Sequence, residues 1–366
     1  MQGGVGDYAH ELARALSAHG ANVHVITDVR CGELQPSAFS LHASIHRWSF
    51  PSLWRIRALA RSLKLDVLNI QYQAAAYGLG APIHFLPKVA GVKTVVTFHD
   101  LRIPYLFPKA GRLREAAVTH LAKSANGAIT TDPEDERELR RRGVVCVTCI
   151  PIGSNIAPNP PAGYDRAEWR ARLGVYPNEF LLCYFGFLNR SKGGDVLIQA
   201  LAAMVDRKAR VKLALIGGQT GSSDPANRDF SEAIDKLIAR YDLEDRILRT
   251  GFVEAPEVSA HLLACDAVVL PYRDGASLRR GTLMAALAHG CAIITTQPMQ
   301  TIAELRDGDN VRFVLVDSVS ALVLAITELL DAPELRARMG QGARAASTRF
   351  SWDAIAARTL EFFQTV

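Results

Sequence analysis

The sequence predicts an α/β protein with two doubly wound, Rossmann-like domains. The chain has 366 residues, 49% of them hydrophobic, and this length suits two cores better than one. Short β-branched runs alternate with helical segments, and these runs are continuously apolar, as in parallel sheets covered on both faces. The alternation stops at a proline-rich linker, residues 155–165, and then restarts. We therefore expect domains at residues 1–154 and 155–349.

The elements of the first domain follow from apolar runs separated by amphipathic segments. In the first helix, Ala9, Leu12, Ala13 and Leu16 fall on one face, and Gly20 marks the end. Strands are expected at residues 22–27, 66–72, 93–99, 127–131 and 144–152, and helices at residues 8–19, 54–64 and 112–124.

A glycine-rich stretch, with Gly3, Gly4 and Gly6, precedes the first helix. Glycine lets another group approach the backbone closely, and the free N–H groups of a helix start attract an anion such as phosphate. The alternative is a turn that needs glycine for packing alone. A central strand normally precedes such a loop, yet only Met1 and Gln2 do so here. Either the sheet lacks this strand or the true start lies upstream; we favour an upstream start, because a lost central strand exposes its neighbours' backbone groups.

The second domain repeats the pattern after the linker. Its strands are expected at residues 180–187, 212–218, 246–252, 267–272 and 292–296, and its helices near residues 194–206, 228–241, 255–264, 281–289 and 318–330. In such sheets ligands bind at the carboxyl ends of the strands, so we expect the site in a cleft between the domains.

Two loops of the second domain have the composition of anion sites. In the first, Arg190 and Lys192 follow a strand, and Gly193 and Gly194 open a helix. Two cations beside a helix start suit a phosphate or a diphosphate. The alternative is a solvated surface loop.

The second loop lies between the strand that ends near residue 272 and an alanine-rich helix. It holds Ser277, Arg279 and Arg280, and Gly281 and Thr282 start the helix. The loop again offers cations and free N–H groups to an anion. Its one carboxylate, that of Asp274, is placed to hold hydroxyl groups.

His99 and Asp100 follow the predicted strand 93–99 of the first domain, at its carboxyl end. His99 is either a ligand-binding residue or a structural histidine. Asp100 either shares the site or caps the next turn.

Composition limits the remaining function classes. The net charge of +5 fits a phosphorylated ligand or an anionic membrane surface, and we expect no nucleic-acid partner. Without a signal peptide or an 18-residue apolar run, we expect a cytoplasmic protein. Segments 54–64 and 137–143 are interpreted as solvated amphipathic helices, with peripheral contact at the inner membrane face as the alternative. The six cysteines, including the C-x-x-C of Cys146 and Cys149, are expected to be reduced thiols rather than metal ligands.

Taken together, these motifs resemble the retaining glycosyltransferases of the GT-B fold, specifically the large bacterial family 4. The resemblance runs in order through GGVGDYAHELARALSAHG, DVLNIQY, VVTFHD, IPIGSNI, FGFLNRSKGGDVLIQAL, TGFV and DAVVLPYRDG…AALAHGCAIITT. FSWDAIAARTLEFF resembles the closing helix of that fold, so residues 350–366 would return to the first domain.

The resemblance implies a hexosyl transfer from a nucleotide-diphosphate sugar, a UDP- or GDP-sugar, held mainly by the second domain. The acceptor, a glycan, a glycolipid or a small hydroxyl compound, would lie against the first domain. The anomeric configuration would be kept without a covalent enzyme intermediate, a metal or a cofactor.

The resemblance also implies roles for single residues. Lys192 matches the diphosphate lysine, and Gly4 and Gly6 match the loop that approaches phosphate and acceptor. His99 matches a histidine near the donor sugar, often placed to hold its 6-hydroxyl. Gly251, Phe252 and Val253 fall where the family's backbone meets the base.

The chain departs from the family pattern at three places. Phe187 stands where many members have arginine, and Arg190 or Arg279 would supply the charge. The two glutamate positions of the family hold Ser277 and Ala285. Asp274 and Gly275 align instead with the family's Glu-Gly if the loop is slightly longer, and we prefer this alignment, with Arg279–Thr282 as the diphosphate cradle.

Two other functions stay open. A degenerate, non-catalytic GT-B scaffold would explain the missing glutamates and the missing strand. A sugar-nucleotide epimerase of the same fold would need a carboxylate-rich cleft, which the sequence does not indicate.

Overall fold

The structure, a computed structural model, describes residues 4–32, 38–101, 111–218 and 225–366. The chain folds into two compact units. Unit 1 comprises Met1–Gly153 and Phe350–Val366, and unit 2 comprises Ser154–Arg349.

Unit 1 consists of parallel strands covered by helices on both faces. Its strands are β1 (His24–Asp28), β2 (Ser40–Ile45), β3 (Val67–Tyr72), β4 (Lys93–Phe98), β5 (Gly127–Thr130) and β6 (Val147–Cys149). Its helices are α1 (Gly4–Ala18), α2 (Phe50–Ser62), α3 (Leu86–Val89), α4 (Gly111–Ser124), α5 (Pro133–Arg141) and the closing helix α13 (Trp352–Thr365).

The sheet of unit 1 is divided. In the described ranges β1 pairs only with β2, and β3 begins a separate sheet of order β3-β4-β5-β6. The two sheets share cores, because Val23 and Val67 pack against one apolar cluster and Ile26 and Leu68 against another. In the usual order of a doubly wound sheet, the first strand lies between the second and the fourth. The division therefore falls where the sequence predicts the missing strand.

The closing helix packs on the first helix. Ile355 and Ala356 of α13 are fully buried in one cluster with Tyr8 and Leu12 of α1. His19 and Asp353 add a contact of 2.9 Å between Nε2 and Oδ1. The chain therefore returns to unit 1 after unit 2.

Unit 2 contains one six-stranded parallel sheet, of order β12-β11-β10-β7-β8-β9. Its strands are β7 (Phe180–Phe185), β8 (Val211–Ile216), β9 (Ile247–Gly251), β10 (Ala267–Leu270), β11 (Ile293–Thr296) and β12 (Arg312–Val314). Its helices are α6 (Arg166–Arg172), α7 (Gly194–Asp206), α8 (Pro225–Arg240), α9 (Ala255–Ala264), α10 (Gly281–Ala288), α11 (Val319–Asp331) and α12 (Pro333–Ser347). The central strands are buried on both faces, as their continuous apolar runs predict.

Several elements differ from the sequence predictions. Helix α1 begins at Gly4, so Gly4 and Gly6 lie in its first turn rather than in a loop before it; Gly3 lies outside the described residues. The strand expected at residues 144–152 is only three residues long. Strands β2 and β12 and helices α3, α6 and α12 were not predicted, and helix α5 begins four residues before the helix expected at residues 137–143. The described helices include none with the length and apolar character to cross a membrane.

Candidate functional site

The site in unit 2 lies at the point where the strand order reverses. From β7 the chain moves outward through β8 to β9, and β10 returns to pair with the other side of β7. The loops after β7 and β10 therefore leave the sheet side by side at its carboxyl edge, which is where open α/β sheets bind ligands. These are the two loops that the sequence singles out.

The turn after β7 brings Lys192 back over the end of its own strand. Gly186 has a φ of +124°, and a Cβ there would lie 2.8 Å from Lys192 Nζ and 3.1 Å from Thr282 Cγ2. The lysine of the first loop and the helix start of the second therefore converge on one glycine. Lys192 Nζ also lies 5.8 Å from the ring centre of Phe187, the residue in the family's arginine position. Burial and, second, the positive charge of Arg280 lower the pKa of Lys192 to about 8.

The loop after β10 is closed by an ion pair. The guanidinium of Arg280 donates to both carboxylate oxygens of Asp274. The same guanidinium lies 4.7 Å from the ring centre of Tyr272, whose hydroxyl is 2.6 Å from Thr282 Oγ1. Asp274 and Arg280, for which the sequence predicts separate contacts with hydroxyls and phosphate, thus already bind each other.

The first turn of α10 follows directly. Arg280 O accepts from the N–H groups of Leu283 and Met284, so the N–H groups of Gly281 and Thr282 come before the first helical bonds. Arg279 N donates to Ser277 Oγ at 3.2 Å, which fixes the turn before the helix. Helix α7 starts similarly, since Gly193 O accepts from residues 196 and 197. Two helix starts and the Lys192 ammonium group thus adjoin at one edge of the sheet.

Arg273, which the sequence analysis does not select, holds the two loops together. Its backbone N–H donates to Ser191 O at 2.8 Å, and its Nη1 donates to Arg190 O at 2.8 Å. Its Nη2 and Nε donate to Asp195 and Asp317, each at 2.7 Å. A backbone contact reinforces this link: a Cβ at position 193 would collide with the carbonyl oxygen of Pro271.

The end of β9 supplies the third side of this edge. Gly217 pairs with Gly251 in an isolated bridge, and Gly217 N donates to Thr250 Oγ1 at 3.3 Å. Phe252 follows with its side chain mostly exposed, and Val253 is half-buried. Strand β8 separates these residues from the Lys192 turn in the sheet.

His99 belongs to unit 1 and lies at the end of β4. Its ring is 4.6 Å from that of Tyr8, centre to centre, so it contacts α1 two residues after Gly6. His99 Nε2 is 2.9 Å from Gln71 Oε1. Because an amide oxygen only accepts, Nε2 carries the proton and Nδ1 presents a lone pair. Burial lowers the pKa of His99 to about 4, so the ring is neutral at neutral pH.

Two further predictions concern the neighbourhood of His99 and the cysteines. The turn that Asp100 is expected to cap would extend into residues 102–110, which lie outside the described residues.

All six cysteines are free thiols, of which Cys183 and Cys291 are buried. In the part of the chain that is described, no three His, Cys, Asp or Glu side chains converge in a way that could hold a metal ion.

The paired units and the cationic strand edge of unit 2 define the GT-B class of glycosyltransferases, and comparison with known proteins gives the family. The sequence profile described as Glycosyl transferases group 1 matches residues 165–346, and that described as Glycosyltransferase Family 4 matches residues 2–157. The chain therefore belongs to the group 1, family 4 glycosyltransferases.

Relatives along the full chain are consistent with this assignment. The chain is 24% identical to the D-inositol 3-phosphate glycosyltransferase of Streptomyces scabiei, over 99% of this chain and 86% of the relative. It is 27% identical to the enzyme of the same name from Xylanimonas cellulosilytica, over 99% and 91%. Among solved structures, Anabaena Alr3699/HepE in complex with UDP superposes with a TM-score of 0.80 at 19% identity, covering 100% of this chain and 97% of that one.

Proposed function

We propose that the protein is a retaining glycosyltransferase that moves a hexosyl group from a nucleotide-diphosphate sugar to an acceptor hydroxyl, without a metal ion. The observation that carries this proposal is the convergence of Lys192 Nζ and Thr282 on Gly186, beside the starts of α7 and α10. A diphosphate bound there meets an ammonium group and two sets of free N–H groups. A UDP-sugar is the first donor to test, because a solved structure of similar fold contains UDP.

Charge develops on the diphosphate as the bond from the anomeric carbon to the phosphate oxygen breaks. Lys192 and the N–H groups of Gly281 and Thr282 stabilise this charge from fixed positions, so that little reorganisation accompanies the reaction. The acceptor oxygen attacks on the face that the diphosphate leaves, and its proton passes to a phosphate oxygen. The new glycosidic bond then has the configuration of the donor, without a covalent bond to the protein.

The pair of Asp274 and Arg280 acts at the sugar end of the diphosphate. The Asp274 carboxylate is partly exposed, and an ionised carboxylate accepts hydrogen bonds from hydroxyl groups. Arg280 holds the carboxylate in place and, with its guanidinium over Tyr272, presents its remaining N–H groups to the phosphate. Ser277 and Arg279 complete the loop, and Arg190 adds positive charge at the Lys192 turn. The backbone at Phe252 and Val253 meets the base.

Unit 1 supplies the acceptor side of the reaction and one contact to the donor sugar. The neutral His99 ring accepts a hydrogen bond at Nδ1 from a hydroxyl of the donor sugar, while Gln71 holds the proton on Nε2. Gly4 and Gly6 in the first turn of α1 leave room for a group to approach the backbone, since a Cβ at Gly4 would have no atom of the described residues within 4 Å. The acceptor class that we propose is a glycan or a lipid-linked sugar, with a small hydroxyl compound as the other option.

A thermal-shift screen tests the proposal. A compound that binds only the folded protein raises its melting temperature, so UDP, GDP, ADP and their sugars are compared. We expect one nucleoside diphosphate and its sugar to raise the melting temperature, and Lys192→Ala to weaken that binding by at least about tenfold. We also expect slow release of the nucleoside diphosphate from the donor in the absence of acceptor. If no nucleotide binds and none is released, the non-catalytic scaffold is the better interpretation.

A further inference from the structure

Three aromatic side chains of unit 1 form an exposed patch. Phe50 and Trp54 lie on α2, and Phe85 precedes α3; their exposed fractions are 54%, 60% and 40%. The rings of Phe50 and Phe85 are 5.7 Å apart, centre to centre. We call these three residues the aromatic patch. Contiguous apolar surface of this kind marks an interaction site more often than single exposed residues do.

Helix α2 packs in the core through other residues than Phe50 and Trp54. Leu53, Ile56 and Ala60, on the other face of α2, are at most 3% exposed. The helix therefore buries one apolar face and carries two aromatic rings outside that face, exposed on the surface. A solvated amphipathic helix, which the sequence analysis favours, would carry polar side chains there.

Two arginines of α2, Arg55 and Arg57, lie near Trp54 in the chain, and Arg57 contacts its ring. The guanidinium of Arg57 lies 5.5 Å from the ring centre of Trp54, and its Nη1 donates to Val89 O. Arg55 Nη1 donates to Ser44 O. Within the described ranges both arginines bond to carbonyl groups rather than to carboxylates, so their charges are not neutralised by an ion pair.

The charge extends over the whole segment. Residues 38–99 contain seven lysines and arginines but a single aspartate, an excess larger than the net charge of +5 of the entire chain. A second copy of the same face would bring these like charges together, which disfavours self-association. Aromatic rings flanked by arginines suit the boundary between lipid headgroups and acyl chains, and the cations suit anionic headgroups.

We propose that the aromatic patch and its flanking arginines dock unit 1 on an anionic lipid bilayer. Phe50, Trp54 and Phe85 insert among the headgroups, and Arg55 and Arg57 contact lipid phosphates. The association is peripheral and salt-sensitive, because charge attraction at a surface is screened by ions. The proposal does not depend on the nucleotide site of unit 2.

Sedimentation of the full chain with vesicles tests the proposal. We expect binding to vesicles of phosphatidylcholine with phosphatidylglycerol, and little binding to phosphatidylcholine alone or at high salt. The double variant Phe50→Ser, Trp54→Ser should bind the anionic vesicles at least about tenfold more weakly, and Arg55→Gln should also reduce binding. Leu324→Ser and Arg338→Gln change exposed residues of unit 2 and serve as matched controls. Circular dichroism checks that each variant folds.

Fluorescence gives a second measurement. The tryptophan emission should shift to the blue on vesicle binding, and the shift should disappear in Trp54→Phe. No binding of the wild-type chain to anionic vesicles, or equal binding by the double variant and its controls, would overturn the proposal. A dimer in solution that Trp54→Ser dissociates, or binding to heparin and duplex DNA but not to vesicles, would overturn it as well, in favour of those partners.

Discussion

Donor binding should depend on the protonation of Lys192. Burial and the nearby Arg280 lower the pKa of Lys192 to about 8 in the free protein. The ammonium form, which can bind a diphosphate, therefore predominates below this pH and is lost as the pH rises. If only this form binds, the affinity for the donor should fall about tenfold between about pH 7 and about pH 9. The bound diphosphate favours the ammonium form, so binding above the pKa should take up a proton.

Titration calorimetry with the nucleoside diphosphate measures both effects. The affinity is followed against pH, and the proton uptake is obtained by repeating the titration in buffers of different ionisation enthalpy. Lys192→Arg keeps its charge over this range and should lose the dependence, while Lys192→Gln should bind weakly at every pH. A pH profile of the wild-type protein that is parallel to that of Lys192→Gln would refute the reasoning, because the titrating group would then lie elsewhere.

Three further predictions concern the same unit and the chemistry. Arg273→Gln should weaken donor binding in the wild-type background but have little further effect in Lys192→Ala, because it acts through the Lys192 turn; equal losses in both backgrounds, in a double-mutant cycle, would contradict this. Gly340→Ala should lower the free energy of unfolding by about 1 kcal/mol or more in urea titrations, because a Cβ there would lie 2.5 Å from Gly290 O, although alanine usually favours a helix. Treatment with EDTA should leave transferase activity unchanged in a coupled assay. A loss of activity that an added divalent metal restores would contradict the metal-free reaction.

The sequence predicts the fold class well because the signal is local. The central strands of unit 2 are continuous apolar runs, and in this unit the bounds of each predicted strand lie within two residues of the observed ones. Strand β2 was missed because its segment, SLHASI, mixes polar and small residues and is held by pairing with β1. Helix α5 begins four residues before the helix expected at residues 137–143, because its start is set by Asp132, which accepts from Glu134 N at 2.8 Å.

The candidate site could be predicted only in part for a related reason. Lys192 lies after a strand and just before α7, and Thr282 lies after a strand in the first turn of α10; such positions can be read from the sequence. The role of Arg273 depends on Asp195 and Asp317, which are 78 and 44 residues away along the chain. The pairing of Asp274 with Arg280 depends on how one loop folds back on itself. No local pattern encodes either contact.

The close approach of Gly193 to Pro271 ties the loop after β7 rigidly to the loop after β10. Gly193 has a φ of +66° and no room for a side chain, so its turn cannot slide past the end of β10 without breaking the contact. The two loops therefore hold the same relative position before any substrate binds. Any adjustment during the catalytic cycle would have to displace both loops together, and a residue larger than glycine at this position would separate them.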